Sequence, residues 1–420
     1  MKKILFFLLF PIVTFSQNTD TLTLDFCQQK ALENYPLIKQ KDLINKTNEL
    51  KLFNITKTYL PQLSLNGQAT YQSDVTEIPI HIPGMEIPSL YKDMYKATFD
   101  VTQVIYDGEL TARQKKLEAV SLQSDLQSLE TELYKIKDKV NTIYFSIVAL
   151  QENKKLLLLL KEDIKNKLTK VESGVKNGIL LESNADVLKA EIIKIEEQII
   201  ELESGIESGL KMLGDYMNQV IPDGVAFKLP ETIINATDYE NARPEIKAFE
   251  LQQQKFNASK SLLNCKLMPK VAGFGQLGYG RPGLNMLSNS FDSFYMVGAK
   301  VTWALWDWNQ NKNEKQLLDL QSQVLNTQKE SFIQGIKILL EKNIADIQKY
   351  QDLLAKDKEI IALREKIIKS AVSQLENGTI TATDYLTELN AASQAKVNME
   401  SHKIQLEKAR IDYLTTKGKY

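Results

Sequence analysis

The chain has 420 residues, with 52 Lys and Arg against 53 Asp and Glu, for a formal net charge of -1. So even a balance excludes the basic field that nucleic-acid binding requires, and 11 Pro with 18 Gly exclude a fibrous or disordered composition. The length admits two or three ordinary domains.

The chain begins MKKILFFLLFPIVTFSQNTD: Lys2 and Lys3, an apolar run from Ile4 to Phe15, then Ser16 ahead of polar Gln17 and Asn18. This is the pattern of a secretory leader over residues 1–16, cleaved between Ser16 and Gln17. The run is shorter than the roughly 20 apolar residues of a membrane-spanning helix. Cys27 and Cys265 are the only cysteines. Export to an oxidising compartment permits a disulfide, but both fall in helical patterns at non-equivalent places of the repeat described below, which favours two buried free thiols.

A helical pattern follows in LTLDFCQQKALENYP and LIKQKDLINKTNELKLFNITKTYL, and Pro61 ends it. Residues 62–73 then alternate: Leu63, Leu65, Gly67, Ala69 and Tyr71 on one face, Ser64, Asn66, Gln68, Thr70 and Gln72 on the other. A period of two predicts a strand with one apolar and one polar face. A loop rich in Pro and containing His81 leads to a partner strand over 94–107, with Tyr95, Ala97, Phe99, Val101 and Ile105 on its apolar face. From Glu109 to Ser173 there is neither Gly nor Pro, and Leu122, Leu126, Leu129, Leu133, Ile136, Val140, Ile143, Ile147 and Leu150 recur at spacings of four and three. This predicts a coiled-coil seam over about four heptads, in a helix on the order of 100 Å long at about 1.5 Å per residue. The five leucines 156–160, fenced by charged residues, make an apolar patch on that helix rather than a membrane span. An Asn177-Gly178 turn precedes a returning helix through Val187–Met212.

The pattern then starts again. At an offset of 208, TYLPQLSLNGQATYQ (58–72) aligns with KLMPKVAGFGQLGYG (266–280), matching Pro61 to Pro269 and Tyr71 to Tyr279. At an offset of 200, VTQVIYDGELTARQKKL (101–117) aligns with VTWALWDWNQNKNEKQL (301–317), and Asn177-Gly178 with Asn377-Gly378. A further slip of two aligns Ala185-Asp186-Val187-Leu188 with Thr383-Asp384-Tyr385-Leu386, which implies a longer first turn. The reading is a duplicated unit of helix, strand, strand, very long helix and helix. The first repeat occupies 17–220, a linker 221–242 and the second repeat 243–420, with strands over about 270–280 and 293–307.

Four strands of about ten residues have the length of transmembrane β-strands, and four cannot close. An open edge in lipid leaves backbone groups unpaired at several kcal/mol each, and the smallest outer-membrane barrels use about eight strands. The chain therefore has to oligomerise: two copies give eight strands with a filled interior, three give twelve with a lumen. Tyr71, Tyr106, Tyr279, Trp303 and Trp306 lie near the strand ends, as membrane-interface aromatics do; the alternative is that they pack in a core.

These residues resemble the TolC-type outer-membrane efflux channels. LTLDFCQQKALENYPLIK is similar to their opening helix, VTQVIYDGE and VTWALWDWN to their strand-to-helix exits, and ENGTITATDYLTELNAA to their second helix turn. The resemblance spans nearly the whole chain beyond the leader. It implies a mainly α protein with transmembrane β, built as a homotrimer: a 12-stranded β-barrel in the outer membrane, continuous with a 12-helix α-barrel in the periplasm. It implies a periplasmic adaptor and an inner-membrane pump as partners, with adaptor contact at the helix-turn tips Asn177, Gly178, Ile179, Asn377, Gly378 and Thr379. The family's constricting acidic ring falls on Asp384, with Asp186 as its first-repeat counterpart and Thr387 and Glu388 one turn on; an arginine common in that turn is Ile380 here. From the residues alone, Asp384 reads equally as a carboxylate favoured by a helix N-terminus, and Gly178 and Gly378 as helix C-caps.

The expected function is an outer-membrane exit duct of a tripartite efflux or type I secretion system; the alternative is a non-conducting periplasmic coiled-coil scaffold or adaptor. His81 and His402 are the only histidines, and no metal-ligand spacing, cysteine cluster or phosphate-binding glycine loop stands out, which points to no enzyme, no cofactor and no metal. GFGQLGYG (273–280) has the glycines of such a loop but alternates as a strand, with no helix behind it.

Overall fold

The computed structural model describes residues 21–76, 90–234 and 242–420. The expected leader, His81 with most of its loop, and residues 235–241 of the linker lie outside these. The described chain forms seven α-helices and one four-stranded sheet: α1 (Leu24–Asn34), α2 (Gln40–Lys57), β1 (Gln62–Tyr71), β2 (Asp93–Tyr106), α3 (Leu110–Lys176), α4 (Glu182–Met217), α5 (Pro244–Leu263), β3 (Lys270–Arg281), β4 (Asp292–Thr302), α6 (Gln310–Glu376) and α7 (Ala382–Lys417). α3 and α6 are each 67 residues, and α4 and α7 each 36.

Two compact units result, and neither is a sequence half. Of the described residues, one comprises 39–76, 90–128 and 245–330, the other 21–38, 129–234, 242–244 and 331–420. Helices as long as α3 and α6 leave one unit and enter the other, so each unit draws on both halves.

The sheet unit contains β1-β2-β3-β4 in that order, all antiparallel. Proline sets its lower boundary: α2 stops at Lys57, and Thr58–Leu60 turn before Pro61, which cannot donate to a helix or a ladder. α5 begins at Pro244, whose missing N–H costs nothing at a first helical position, and stops ahead of Pro269. The residues 273–280 lie inside β3, as their alternation predicts. β4 ends at Thr302, earlier than expected, because its one partner begins at Lys270 and pairs with Thr302. Trp303 and Trp306 therefore lie beyond the strand. β2 runs on to Tyr106 because β3 still faces it there, past a bulge between Val104 and Tyr106.

The helical unit is held by two apolar clusters. In the first, Ile136, Val140, Tyr144 and Ile147 of α3 meet Leu210, Leu213 and Met217 of α4 and Leu24, Cys27 and Ala31 of α1. The heptad residues of α3 thus pack inward, as their spacing predicts. The linker is more than a connector: Ile221 is buried in this cluster, Val225, Phe227 and Leu229 pack on it, and Lys228 N–H donates to Leu22 O at 3.0 Å. The second cluster joins Ile164 and Val171 of α3, Leu188 and Ile195 of α4, Leu375 of α6, and Tyr385 and Leu389 of α7. Among the described residues no helix is long and apolar enough to cross a membrane.

Candidate functional site: the paired helix turns and the exposed sheet

The two turns have the same construction. Ile179 N–H donates to Gly174 O at 2.9 Å and Gly178 N–H to Val175 O at 3.0 Å; Thr379 N–H donates to Gln374 O at 2.9 Å and Gly378 N–H to Leu375 O at 3.0 Å. This nested pair closes a helix on a left-handed residue, supplied by Gly178 at φ 71° and Gly378 at φ 70°. Residues 177–181 and 377–381 separate the helices, so the turns are equal in length and the offset stays at 200 through them. The two-residue slip expected from sequence is therefore wrong. Asn184, not Asp186, occupies the place equivalent to Asp384, because the turn geometry fixes the spacing whatever short motif follows. The six tip residues Asn177, Gly178, Ile179, Asn377, Gly378 and Thr379 are all exposed.

Asp384 completes a capping box. Its carboxylate accepts from Thr381 N–H at 3.0 Å and Thr381 Oγ1 at 2.7 Å, while Thr381 Oγ1 accepts from Asp384 N–H at 3.2 Å. Those bonds from Thr381 hold the carboxyl below its ordinary range, so it stays charged at neutral pH. Asp384, Thr387 and Glu388 line one groove with Ile367, Ser370 and Gln374 of α6. Glu388 is paired there with Arg364 at 2.9 Å, and Thr387 Oγ1 donates to Thr383 O at 3.0 Å. Asp186 is not in this groove; it is exposed, 3.9 Å from Lys189.

Side chains that no short motif marks tie the turns together. Asn184 Oδ1 accepts from Ala382 N–H at 2.9 Å, so the first turn caps the helix that follows the second. Lys167 on α3, with its side chain 8% exposed, reaches Glu376 at the end of α6 at 2.9 Å and lies 5.7 Å from the Tyr385 ring centre. Lys170 joins the same carboxylate at 3.0 Å, and the two lysines hold Glu376 below its usual value. Ile380 packs against the second apolar cluster. Such contacts join residues some 200 positions apart and leave no local sequence signal.

At the sheet, residues facing each other across the ladders share a face. Leu63 pairs with Val101, Leu65 with Phe99, Phe99 with Leu277, and Leu277 with Tyr295, so the middle of one face is apolar, with Gln103 toward its helix end and Asp93, Arg281 and Ser293 at its loop end. It is also bare: Leu65 is 80% exposed, Val297 77% and Tyr295 73%. On the other face Asp100 accepts from Asn66 at 2.6 Å, Thr98 at 2.9 Å and Gln276 at 2.5 Å. Tyr71 and Tyr279 fall at the loop end of the apolar face, and Tyr106 at the helix end. These three, with Trp303 and Trp306, are all exposed. Phe291 stacks on Tyr95 and Tyr279, and Arg281 lies over Tyr91 and Tyr95 while paired with Asp93. Those additions to the loop end come from tertiary contact alone.

His402 is partly buried, its Nδ1 2.7 Å from Asp357 Oδ2. Cys27 and Cys265 are free and buried, and burial pushes the Cys27 thiol up to about 12, which leaves it unreactive. Among the described residues no group of three or more His, Cys, Asp or Glu is placed to hold a metal.

No protein-family model and no curated protein matches the sequence. Solved structures do, over nearly their whole lengths. The channel-forming protein CusC shares 11% identity and a TM-score of 0.72, covering 94% of this chain and 91% of that one. The outer-membrane protein VceC of Vibrio cholerae shares 14% and 0.67, covering 94% and 96%. The CmeC outer-membrane channel of Campylobacter jejuni shares 15% and 0.68, covering 96% and 87%. The chain thus has the fold of the TolC-type outer-membrane channels.

Proposed function

We propose that the chain is the protomer of a homotrimeric outer-membrane channel, the passive exit duct of a tripartite efflux or type I secretion system. An inner-membrane pump drives it through a periplasmic adaptor. One observation carries this reading: a sheet with a bare, mainly apolar face, an opposite face with a polar cluster around Asp100, and, among the described residues, two unpaired edges, β1 and β4. Four strands in that condition are one third of a closed barrel whose outside meets lipid and whose inside meets water. The solved structures of like fold support it: CmeC is an outer-membrane channel and CusC forms a transmembrane channel. Along β3, Val271 to Tyr279 is eight residue steps, about 27 Å at about 3.4 Å each. A strand tilt of about 40° reduces this to about 21 Å, near the apolar band of such barrels.

The equal helix lengths and matched turns support a duplicated unit. In the trimer, six hairpins α3–α4 and α6–α7 form the periplasmic α-barrel. Their tips meet the adaptor, and three copies of Asp384 face one another across the axis. A ring of carboxylates favours cations and resists its own closure by repulsion. Asp186, outside the groove that holds Asp384, has the weaker claim to that ring. The scaffold reading is disfavoured by the sheet, since a soluble domain would cover that apolar face.

Membrane fractionation followed by conductance of the purified oligomer in planar bilayers is the test. The expected result is an outer-membrane trimer that conducts ions, with Asp384→Ala raising conductance and weakening cation preference. A water-soluble monomer would end the channel reading; unchanged conductance in Asp384→Ala would end the gate assignment alone.

A further inference from the structure

The two unpaired edges are specific about what covers them. Shifting β1 by 208 and β2 by 200 turns the first hairpin into the second without changing its register: Gln62↔Thr102 becomes Lys270↔Thr302, and Tyr71↔Asp93 becomes Tyr279↔Ser293. One seam in the chain joins the two hairpins, β2 to β3, and it carries a bulge near its helix end. A ring built of such hairpins closes by repeating that seam between chains.

Resting on the trimer proposed above, we infer that β4 of one protomer pairs with β1 of the next in the register of β2 with β3, transferred by the same two offsets. Val297 then faces the partner's Tyr71, Ala299 the partner's Ala69, Val301 the partner's Gly67, and Trp303 the partner's Leu65. A bulge at Leu305 brings Trp306 opposite the partner's Leu63. On the polar face, Lys300 faces the partner's Gln68, where the chain's own seam sets Asp100 opposite Gln276.

Three features agree with this register and not with its neighbours. A slip of one residue would set Val297 against Thr70 or Gln72 and Val301 against Asn66 or Gln68, and mix the lipid face with the lumen face. A slip of two in one direction would draw Pro61, which has no N–H, opposite Trp306. In the other direction it would leave Gln62 and Leu63 unpaired in lipid. The proposed pairing also gives the segment after Thr302 a strand partner, which none of the described residues of its own chain supplies. Leu305 is 73% exposed, Trp306 68% and Trp303 58%, and the new seam sets them beside the exposed start of β1, where Leu63 is 63% exposed.

Cysteine pairs in the full chain, in outer membranes, test the register. Ala69 and Ala299 are small and exposed, so Ala69→Cys with Ala299→Cys tests a direct pair. Ala299→Cys with Gly67→Cys or with Tyr71→Cys tests the diagonals. Direct partners lie about 5 Å apart at Cβ and diagonals about 7–8 Å, against the roughly 4 Å of a disulfide. Mild oxidation is expected to convert Ala69→Cys/Ala299→Cys to a covalent trimer on denaturing gels, at least about tenfold more than either diagonal. Gln68→Cys with Lys300→Cys repeats the test on the polar face, and each single-cysteine variant gives the background from the buried native thiols. A diagonal pair linking best would overturn the register and leave the trimer standing. No linkage at any pair, with wild type trimeric on native gels, would overturn the β4–β1 seam. No linkage with a monomeric wild type would overturn the trimer as well.

Discussion

Gly378 and Gly108 share a φ of 70°, yet they hold it for different reasons. At Gly378 only Leu180 Cδ2, at 4.0 Å, approaches the place a Cβ would take, so the requirement is backbone geometry. Alanine there costs about 1 kcal/mol from the left-handed conformation. At Gly108 a Cβ would sit 2.8 Å from Met268 Cβ. Gly108→Ala is therefore expected to lower the melting temperature of the detergent-purified protein, followed by far-UV circular dichroism, at least twice as far as Gly378→Ala. Equal shifts would show that the Met268 contact yields freely. The second strand-to-helix exit carries Trp308 at φ 53° and Asn309 at φ 64°, so side chains are borne in this backbone where space allows. Asp384 is a second residue whose sequence reading and structure overlap without coinciding. Its carboxylate is committed to capping α7, and the bonds from Thr381 lower its proton affinity further without taking it out of any ring that three subunits would make.

Among the elements, α4 has two glycines where it faces α3. A Cβ on Gly209 would meet Ile147 Cγ1 at 2.7 Å, and one on Gly205 would meet Leu150 Cδ1 at 3.2 Å. Ile147 is fully buried and packs in the cluster that also holds α1 and α7. Ile147→Ala is expected to destabilise by about 3 kcal/mol, and Ile147→Val by about 1, since the valine keeps most of the volume. Thermal unfolding monitored at the helical band would rank them, and an alanine variant no worse than valine would mean that the helices close over the gap. The strand ends make a different point. Alternation in residues 293–307 continues past Thr302, but a strand exists only as far as a neighbour pairs with it. The pattern and the observed end disagree where a second chain would be required.

For the whole molecule, the chain's three tryptophans, Trp303, Trp306 and Trp308, are all exposed and lie beyond one strand end. They make intrinsic fluorescence a probe of one level of the proposed assembly. In lipid vesicles their emission is expected to shift to the blue and to be quenched more by lipids brominated near the headgroup than near the chain end, because amphipathic rings settle at the interface. Emission unchanged between detergent-free buffer and vesicles would refute the interfacial girdle.

Much of this protein was legible in the amino-acid sequence because the governing physics is local and periodic. Alternation placed all four strands, heptads placed the buried stripe of α3, prolines ended helices, and Asn-Gly marked both turns. The offsets of 208 and 200 even contained the register that both hairpins adopt. What the sequence left open depended on residues far apart in the chain. Equal turn lengths corrected Asp186 to Asn184, the lysines of α3 met Glu376, His402 met Asp357, and the linker entered the core. Those outcomes belong to the tertiary structure, because hydrogen-bond geometry and packing between helices act through space and leave no period to read.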